Sequence, residues 1–140
     1  MTTRPLIAEV LVRWLYPLLL LASVIVLLRG HNQPGGGFIG GLLAVVASSA
    51  LALVFTTGRA ERLLPLDPVR LTACGVLLAL GSGLPALAAH VPFLTHLWAD
   101  LPFGLPLSTV LLFDLGVYLA VWGALGGFCL ALIRSREETS

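Results

Sequence analysis

One carboxylate lies inside a long apolar run near the end of the chain. Asp114 is about six residues into the stretch from Ser108 to Ile133. If this stretch crosses a membrane, a carboxylate in the middle of the span costs about 2.5 to 3.5 kcal/mol, and less near the boundary between membrane and water. Such a group can exchange a proton, attract a cation, or pair with an arginine of another chain. Asp114 is therefore the leading candidate for ion handling, and a hydrogen-bonded structural role is the alternative.

A second pair of charges lies near the start of the chain. Glu9 and Arg13 are four residues apart, and acid before base is the favourable order on a helix. Pro17 has no N–H to donate to the carbonyl of Arg13. The spacing predicts a self-neutralised ion pair near the membrane interface, and a polar pocket at a kink is the alternative.

A glycine-rich turn separates the first two apolar runs. Gly35, Gly37 and Gly40 fit G-x-G-x-x-G, but no strand precedes them, so the match does not indicate a dinucleotide site. Glycines allow a tight turn and close approach of another backbone. The segment therefore predicts a docking element for another chain, formed by Gly30, His31, Asn32, Pro34, Gly35, Gly36, Gly37, Gly40 and Gly41.

The remaining polar candidates indicate little chemistry. His90, His96 and Asp100 lie in the loop 90–107, but the H-x5-H spacing matches no common metal pattern, so interfacial or hydrogen-bonded roles are favoured. Cys74 and Cys129 lack ligand-type neighbours and are predicted to be buried and inert. The sequence predicts no metal, no cofactor and no catalytic centre.

The composition identifies the environment of these residues. Apolar residues make up 58% of the 140 residues and charged residues 11%, against about 25% charged in soluble domains. So short a chain has too little interior to hide that apolar surface from water. The net charge of +1 gives no case for nucleic acid. The chain is therefore predicted to be an integral protein of a lipid bilayer.

Four apolar stretches are long enough to cross a membrane, which needs roughly 20 residues each. The prediction is an all-α protein with one four-helix domain over residues 1–140, whose spans cover approximately 6–28, 38–55, 71–89 and 108–133. The arginines orient these spans by the positive-inside rule. Both termini and the loop 56–70 are predicted to be cytoplasmic, because only Arg29 opposes the set Arg4, Arg59, Arg62, Arg70, Arg134 and Arg136. Aromatic residues of the loop 90–107 are then predicted near the outer interface, namely Trp98, Phe103 and Phe93.

Small residues at four-residue spacing predict close helix contacts in three spans. The stripes are Gly40, Ala44, Ser48 and Ala52 in span two, and Gly75, Ala79 and Gly83 in span three. In span four, the small residues cluster roughly opposite Asp114; they are Gly116, Ala120, Gly123 and Gly127. One face is therefore suited to close contact with another backbone and the other carries a carboxylate, so neither face suits lipid. Because four helices offer little room to cover both faces of one member, this pattern indicates a subunit of a larger assembly.

The glycine turn also carries a resemblance. The segment GHNQPGGGFIGGL, residues 30–42, resembles the signature of the B subunit of Mrp-type multisubunit cation/proton antiporters, the MnhB family. The block from Phe113 to Leu119, with Val121 and Gly123, resembles the final helix of that family. VPFLT at 91–95 is a weaker match, and the four-span layout also agrees.

The resemblance implies a small multi-pass subunit of a bacterial inner-membrane complex that exchanges cytoplasmic Na⁺ for external H⁺, with the other Mrp subunits as partners. In that family the larger A and D subunits carry the lysine and glutamate proton pathways, and this chain has no lysine. It is therefore not expected to be an enzyme or to pump protons alone. Two alternatives remain: a subunit of a membrane-bound hydrogenase or other complex-I-like redox assembly, and a purely structural assembly subunit.

Overall fold

The computed structural model describes residues 6–30, 36–95, 97–100 and 106–139. Within these ranges, four helical segments are long and apolar enough to cross a membrane. They are α1 (Leu6–Arg29), α2 (Gly36–Val54), a third segment over Pro68–Ala88, and the last helix over Thr109–Glu138. The predicted all-α fold with four spans is confirmed, and each predicted boundary lies within five residues of the observed one.

The third span consists of two helical pieces. A six-residue helix, α3 (Thr57–Arg62), precedes it, and the span itself comprises α4 (Pro68–Gly81) and α5 (Leu84–Ala88). The carboxylate of Asp67 accepts hydrogen bonds from the backbone N–H groups of Val69 and Arg70, which fixes the start of α4. Pro85 lacks the N–H that would continue the ladder, so the helix is interrupted between α4 and α5.

The loop before the last span contains a short ribbon. Strand β1 (Trp98–Asp100) pairs antiparallel with β2 (Pro106–Ser108), and the last helix, α6 (Thr109–Glu138), follows directly. The backbone N–H of Thr109 donates to the Leu97 carbonyl at 3.1 Å, and the Leu97 N–H donates to the Thr109 hydroxyl at 3.1 Å. The ribbon therefore ties the loop to the first turn of α6.

The spans form a row in which each helix packs mainly on its immediate neighbours. The order across the row is α1, α2, α6, α4. Half of the apolar segment of α2 is buried, against 17% of that of α1, as expected for an inner and an edge position. Because α2 has a neighbour on each side, its stripe Gly40, Ala44, Ser48 and Ala52 is buried, which confirms that predicted contact face.

Polar contacts hold the end of α6 against the connection between α2 and α4. The Glu137 carboxylate accepts from the Thr57 hydroxyl at 2.8 Å, and Arg134 forms an ion pair with Glu61. Four crossings place the two ends of the spanning region on this same side. That this side is cytoplasmic stays a prediction from the arginine distribution.

Candidate functional site

The glycine turn and Asp114, which are far apart in sequence, meet in the structure. A Cβ placed on Gly30 would overlap the Oδ2 atom of Asp114 and lie 2.8 Å from the Cα of Gly36. A Cβ on Gly37 would lie 3.0 Å from the Cα of Asp114. The end of α1, the start of α2 and the first turns of α6 therefore meet at Asp114, with Gly30 against its carboxylate and Gly37 against its backbone.

The surroundings of Asp114 suit a negative charge. The side chain is half-buried and takes part in a polar or electrostatic interaction. Gly37, in the first turn of α2, packs on the Asp114 backbone. The start of a helix carries a partial positive charge from its dipole and from N–H groups that have no partner within the helix. A carboxylate held in this way can attract a cation or exchange a proton, and it can also stabilise the α2 terminus.

The other glycines of the turn are explained by contacts within the chain. A Cβ on Gly40 would lie 2.8 Å from the Ser23 carbonyl oxygen of α1, and one on Gly41 would lie 2.9 Å from Val121 Cβ of α6. The close approach that the sequence assigned to another chain is thus made by α1 and α6. Docking of a further chain stays a prediction, and four of its residues lie outside the described ranges: His31, Asn32, Pro34 and Gly35.

Two aromatic side chains continue the Asp114 face along α6. Tyr118 and Trp122 follow at intervals of four residues, are both buried, and pack edge to face with ring centroids 5.8 Å apart. The Tyr118 hydroxyl lies 3.0 Å from the Ser23 hydroxyl of α1, and the Trp122 indole N–H donates to the Ser48 hydroxyl of α2 at 2.9 Å. This face of α6 is therefore fastened to two helices by polar groups.

These hydrogen bonds end on backbone carbonyls. The Ser23 hydroxyl donates to the Leu20 carbonyl at 2.8 Å, so the hydrogen between Ser23 and Tyr118 belongs to the tyrosine. The Ser48 hydroxyl likewise donates to the Ala44 carbonyl at 2.9 Å. Because a carbonyl cannot pass a proton on and an indole only donates, these bonds connect helices and form no proton relay. The sequence patterns named Ser48 only as a small residue of the α2 stripe and did not point to Ser23, although a hydroxyl in each of these two spans was the available signal.

The opposite face of α6 packs backbone to backbone against α4. A Cβ on Gly116 would lie 2.5 Å from the Ala79 nitrogen, and a Cβ on Gly123 would lie 2.6 Å from the Thr72 nitrogen. The predicted close contact of this face is confirmed, but Gly83 meets the Phe93 ring instead. Four helices were expected to offer little room to cover both faces of α6, but α4 covers one face and α2 with α1 covers the other.

The predicted ion pair of span one is not formed. Glu9 and Arg13 do not come within 4.0 Å of each other, whereas Asp67 with Arg70 and Glu61 with Arg134 do form ion pairs. Glu9 is half-buried, whereas the Arg13 side chain is exposed. Helix α1 continues through Pro17. The i,i+4 spacing therefore places both charged residues on one helix, but their side chains form no ion pair.

The minor candidates form no centre in the described part of the chain. No three His, Cys, Asp or Glu side chains there are grouped so that they could hold a metal ion. His90 is exposed with φ 57°, while His96, Phe103 and the side chains of Trp98 and Asp100 lie outside the described residues. The prediction that both cysteines are buried is wrong: Cys74 is exposed on α4 and Cys129 is half-buried.

The chain resembles known membrane proteins over most of its length. Residues 7–127 match the family described as a domain related to the MnhB subunit of Na⁺/H⁺ antiporter. The chain is 37% identical over 127 residues to the B subunit of the Na⁺/H⁺ antiporter of Bacillus subtilis, and the match covers 86% of this chain and 87% of that relative.

Two further relatives are much longer than this chain. The A/B subunit of a probable K⁺/H⁺ antiporter of Rhizobium meliloti is 34% identical and is covered over 12% of its length. A solved structure of the Mrp complex from Dietzia sp. DQ12-45-1b matches with a TM-score of 0.74 and 35% identity, over 86% of this chain and 13% of that one. This chain therefore spans about an eighth of each of these two proteins.

Proposed function

The chain belongs to the MnhB family, and we propose that it is a small membrane subunit of a multisubunit Mrp-type Na⁺/H⁺ antiporter in which Asp114 takes part in cation or proton exchange. The other subunits of that antiporter are its partners, and Na⁺ and H⁺ are the transported ions. The chain is a multi-pass bacterial membrane protein and a component of a transport complex. Its four helices also serve as a scaffold for assembly.

The convergence of three chain segments on one carboxylate supports the role of Asp114. Gly30 leaves no room for a side chain beside the Asp114 carboxylate, and Gly37 leaves none beside the Asp114 backbone, so this residue is held in a defined place. A carboxylate inside a span is costly unless its charge is used or compensated. The dipole at the start of α2 offers partial compensation for a negative charge on Asp114, and a carboxylate can bind a cation.

A purely structural role is the second candidate. The hydrogen bonds of Tyr118 and Trp122, on the same face of α6, only fasten helices. A carboxylate at a helix N-terminus also stabilises that terminus, typically by about 0.3 to 1 kcal/mol. In this reading Asp114 holds the glycine turn in place, and the exchange of ions is carried out by other subunits.

The substitution Asp114→Asn separates the two candidates. Asn keeps a similar size and a carbonyl acceptor but cannot carry a charge. We expect the complex to assemble while Na⁺-dependent proton exchange falls at least about tenfold, which corresponds to about 1.4 kcal/mol. The measurement is ΔpH exchange in everted membrane vesicles with NaCl and, in parallel, KCl, with all subunits quantified by immunoblot.

Glu138→Gln is the matched control, because Glu138 is an exposed acid at the far end of the same helix. Its exchange should equal that of the wild-type complex. Normal exchange by the Asp114→Asn complex would remove this carboxylate from the ion path. Loss of assembly would favour the structural candidate instead.

A further inference from the structure

Arg13 and Arg29 cannot both lie outside the apolar layer if α1 crosses it. Arg29 follows Arg13 by sixteen positions, which is about 24 Å along a helix at 1.5 Å per residue. The hydrocarbon core is about 30 Å thick. At least one of the two arginines must therefore lie within that core or reach out of it with its side chain, and tilting of the helix shortens the span further.

The described part of the chain gives Arg13 no counter-charge. Its end of the row contains several acids, but two of them are paired with other arginines: Glu61 with Arg134, and Asp67 with Arg70. Glu137 accepts two hydrogen bonds from Thr57. Glu9, one turn away, does not come within 4.0 Å of Arg13. The Arg13 side chain is exposed instead.

The surroundings of Arg13 on α1 are those of a contact surface. Trp14 beside it is 71% exposed, and Val10 and Leu21 on the same side are more than half exposed. Trp and Arg are among the residues that dominate binding energy at protein interfaces. Pro17 leaves the Arg13 carbonyl without its helical donor, and a lipid tail cannot supply one. α1 is an edge helix of the row, so this side has no neighbour within the described part of the chain.

We infer that the exposed side of α1 around Arg13 and Trp14 is the docking surface for a transmembrane helix of another antiporter subunit, which places an Asp or Glu carboxylate against the Arg13 guanidinium. This inference rests on the proposed function as a subunit of a hetero-oligomer. A planar guanidinium binds a carboxylate through two parallel hydrogen bonds, which fixes the register of two helices as well as their proximity. The chain therefore supplies the positive half of an inter-subunit pair within the membrane.

The test uses the whole antiporter, expressed with an affinity tag on this chain. Arg13→Leu should insert at least as well as wild type, because it removes a charge from a membrane helix. With Arg13→Leu, the amount of the other subunits that co-purifies per tagged chain should nevertheless fall at least about tenfold, which corresponds to about 1.4 kcal/mol. Arg13→Lys keeps the charge and should stay within about threefold of wild type. The matched control is Arg62→Leu, an exposed arginine of α3 at the same end.

Three results would overturn the inference. Recovery of the complex by Arg13→Leu at the wild-type level would mean that the arginine reaches lipid phosphates. An equal loss with Glu9→Gln would make Glu9 the partner, within the chain. In a third experiment, single carboxylates in the membrane helices of the other subunits are removed in the Arg13→Leu background. One of these second substitutions should restore assembly. If none does, the inference is wrong. A wild-type chain that recovers no other subunit would instead refute the proposed function.

Discussion

The two faces of α6 are both buried, but they are specified by different physical means. Toward α4, the face of Gly116 and Gly123 consists of small residues, and the two backbones are in direct contact. Toward α1 and α2, the face of Asp114, Tyr118 and Trp122 carries large or polar side chains, and its two aromatic residues are joined to serines by hydrogen bonds. The first face tolerates no added atom, whereas the second depends on particular polar groups.

This difference separates fit from chemistry. A membrane gives little hydrophobic driving force between helices, so close packing of small residues must hold α4 and α6 together. Hydrogen bonds contribute more modestly and also fix the rotation of each helix. Of these two faces, only the polar one has a carboxylate, and that group lies at its end, beside the glycine turn. We therefore expect substitutions on the small face to act on structure alone.

The largest effect is expected from Gly116→Ala on the small face. The new Cβ would lie 2.5 Å from the Ala79 nitrogen and 2.8 Å from its Cα, both backbone atoms that cannot move aside cheaply. We expect a loss of about 3 kcal/mol in the free energy of unfolding, the upper part of the range for overpacking. An SDS titration of the protein in micelles measures it.

Gly81→Ala is the control for that prediction, because a Cβ on Gly81 meets no atom within 4 Å. Its free energy of unfolding should match or slightly exceed that of wild type, since alanine favours a helix over glycine. Equal destabilisation by both substitutions would show that the contact with α4 is not what requires Gly116.

A somewhat smaller effect is expected from Gly36→Val at the turn. The added Cβ would lie 2.7 Å from the Gly30 nitrogen and 3.1 Å from the Val26 carbonyl oxygen, so α1 and α2 must separate locally. We expect at least about tenfold less assembled antiporter, about 1.4 kcal/mol, measured by co-purification of the subunits with each helix still inserted. Gly58→Val, where a Cβ meets no atom within 4 Å, should assemble normally. Wild-type yield from Gly36→Val would contradict this account.

A modest effect is expected from the hydrogen bond between Trp122 and Ser48. A double-mutant cycle of Trp122→Phe and Ser48→Ala isolates its energy. The coupling should be about 0.6 kcal/mol, the average for hydrogen bonds between membrane helices. A coupling near zero in the SDS titration would mean that ring packing against Tyr118, and not the polar group, specifies this part of the face.

The smallest effect is expected from the exposed ion pair of Glu61 and Arg134. The two side chains are 34% and 48% exposed, so water and salt ions reach both charges. Many such exposed pairs contribute nothing measurable to stability, and salt screens the rest. Glu61→Gln should shift the unfolding midpoint only slightly, and the shift should vanish in high salt. A large loss of stability that does not depend on salt would mean that this ion pair stabilises the protein more than the hydrogen bonds of the polar face do.

Sequence alone predicted the helices because hydrophobic length is a local property. The four spans, the face of Gly116 and the stripe beginning at Gly40 follow from composition and spacing along single helices. The order of the helices in the row does not, because it depends on which small face meets which partner. For that reason the sequence did not predict that Ser23 and Val121 of the same chain lie against Gly40 and Gly41. Docking of a further chain at this turn stays a prediction.

The candidate site was predicted as separate parts. Asp114 and the glycine turn were each recognisable, one as a charge within a span and the other as an unusual density of glycine. Their meeting depends on α2 lying beside α6, which no local pattern encodes. The Glu9–Arg13 pair shows the opposite error, since a favourable spacing on one helix did not bring the side chains together in the structure.

We propose that Asp114 differs in kind from the rest of its face, because it acts in ion exchange and its neighbours act in packing. Asp114→Asn and Tyr118→Phe each remove one polar function from positions one turn apart on α6. The deciding quantity is Na⁺-dependent proton exchange in everted vesicles, divided by the amount of assembled complex. We predict a loss of at least about tenfold for Asp114→Asn and less than about twofold for Tyr118→Phe. Equal values for the two variants would contradict the account.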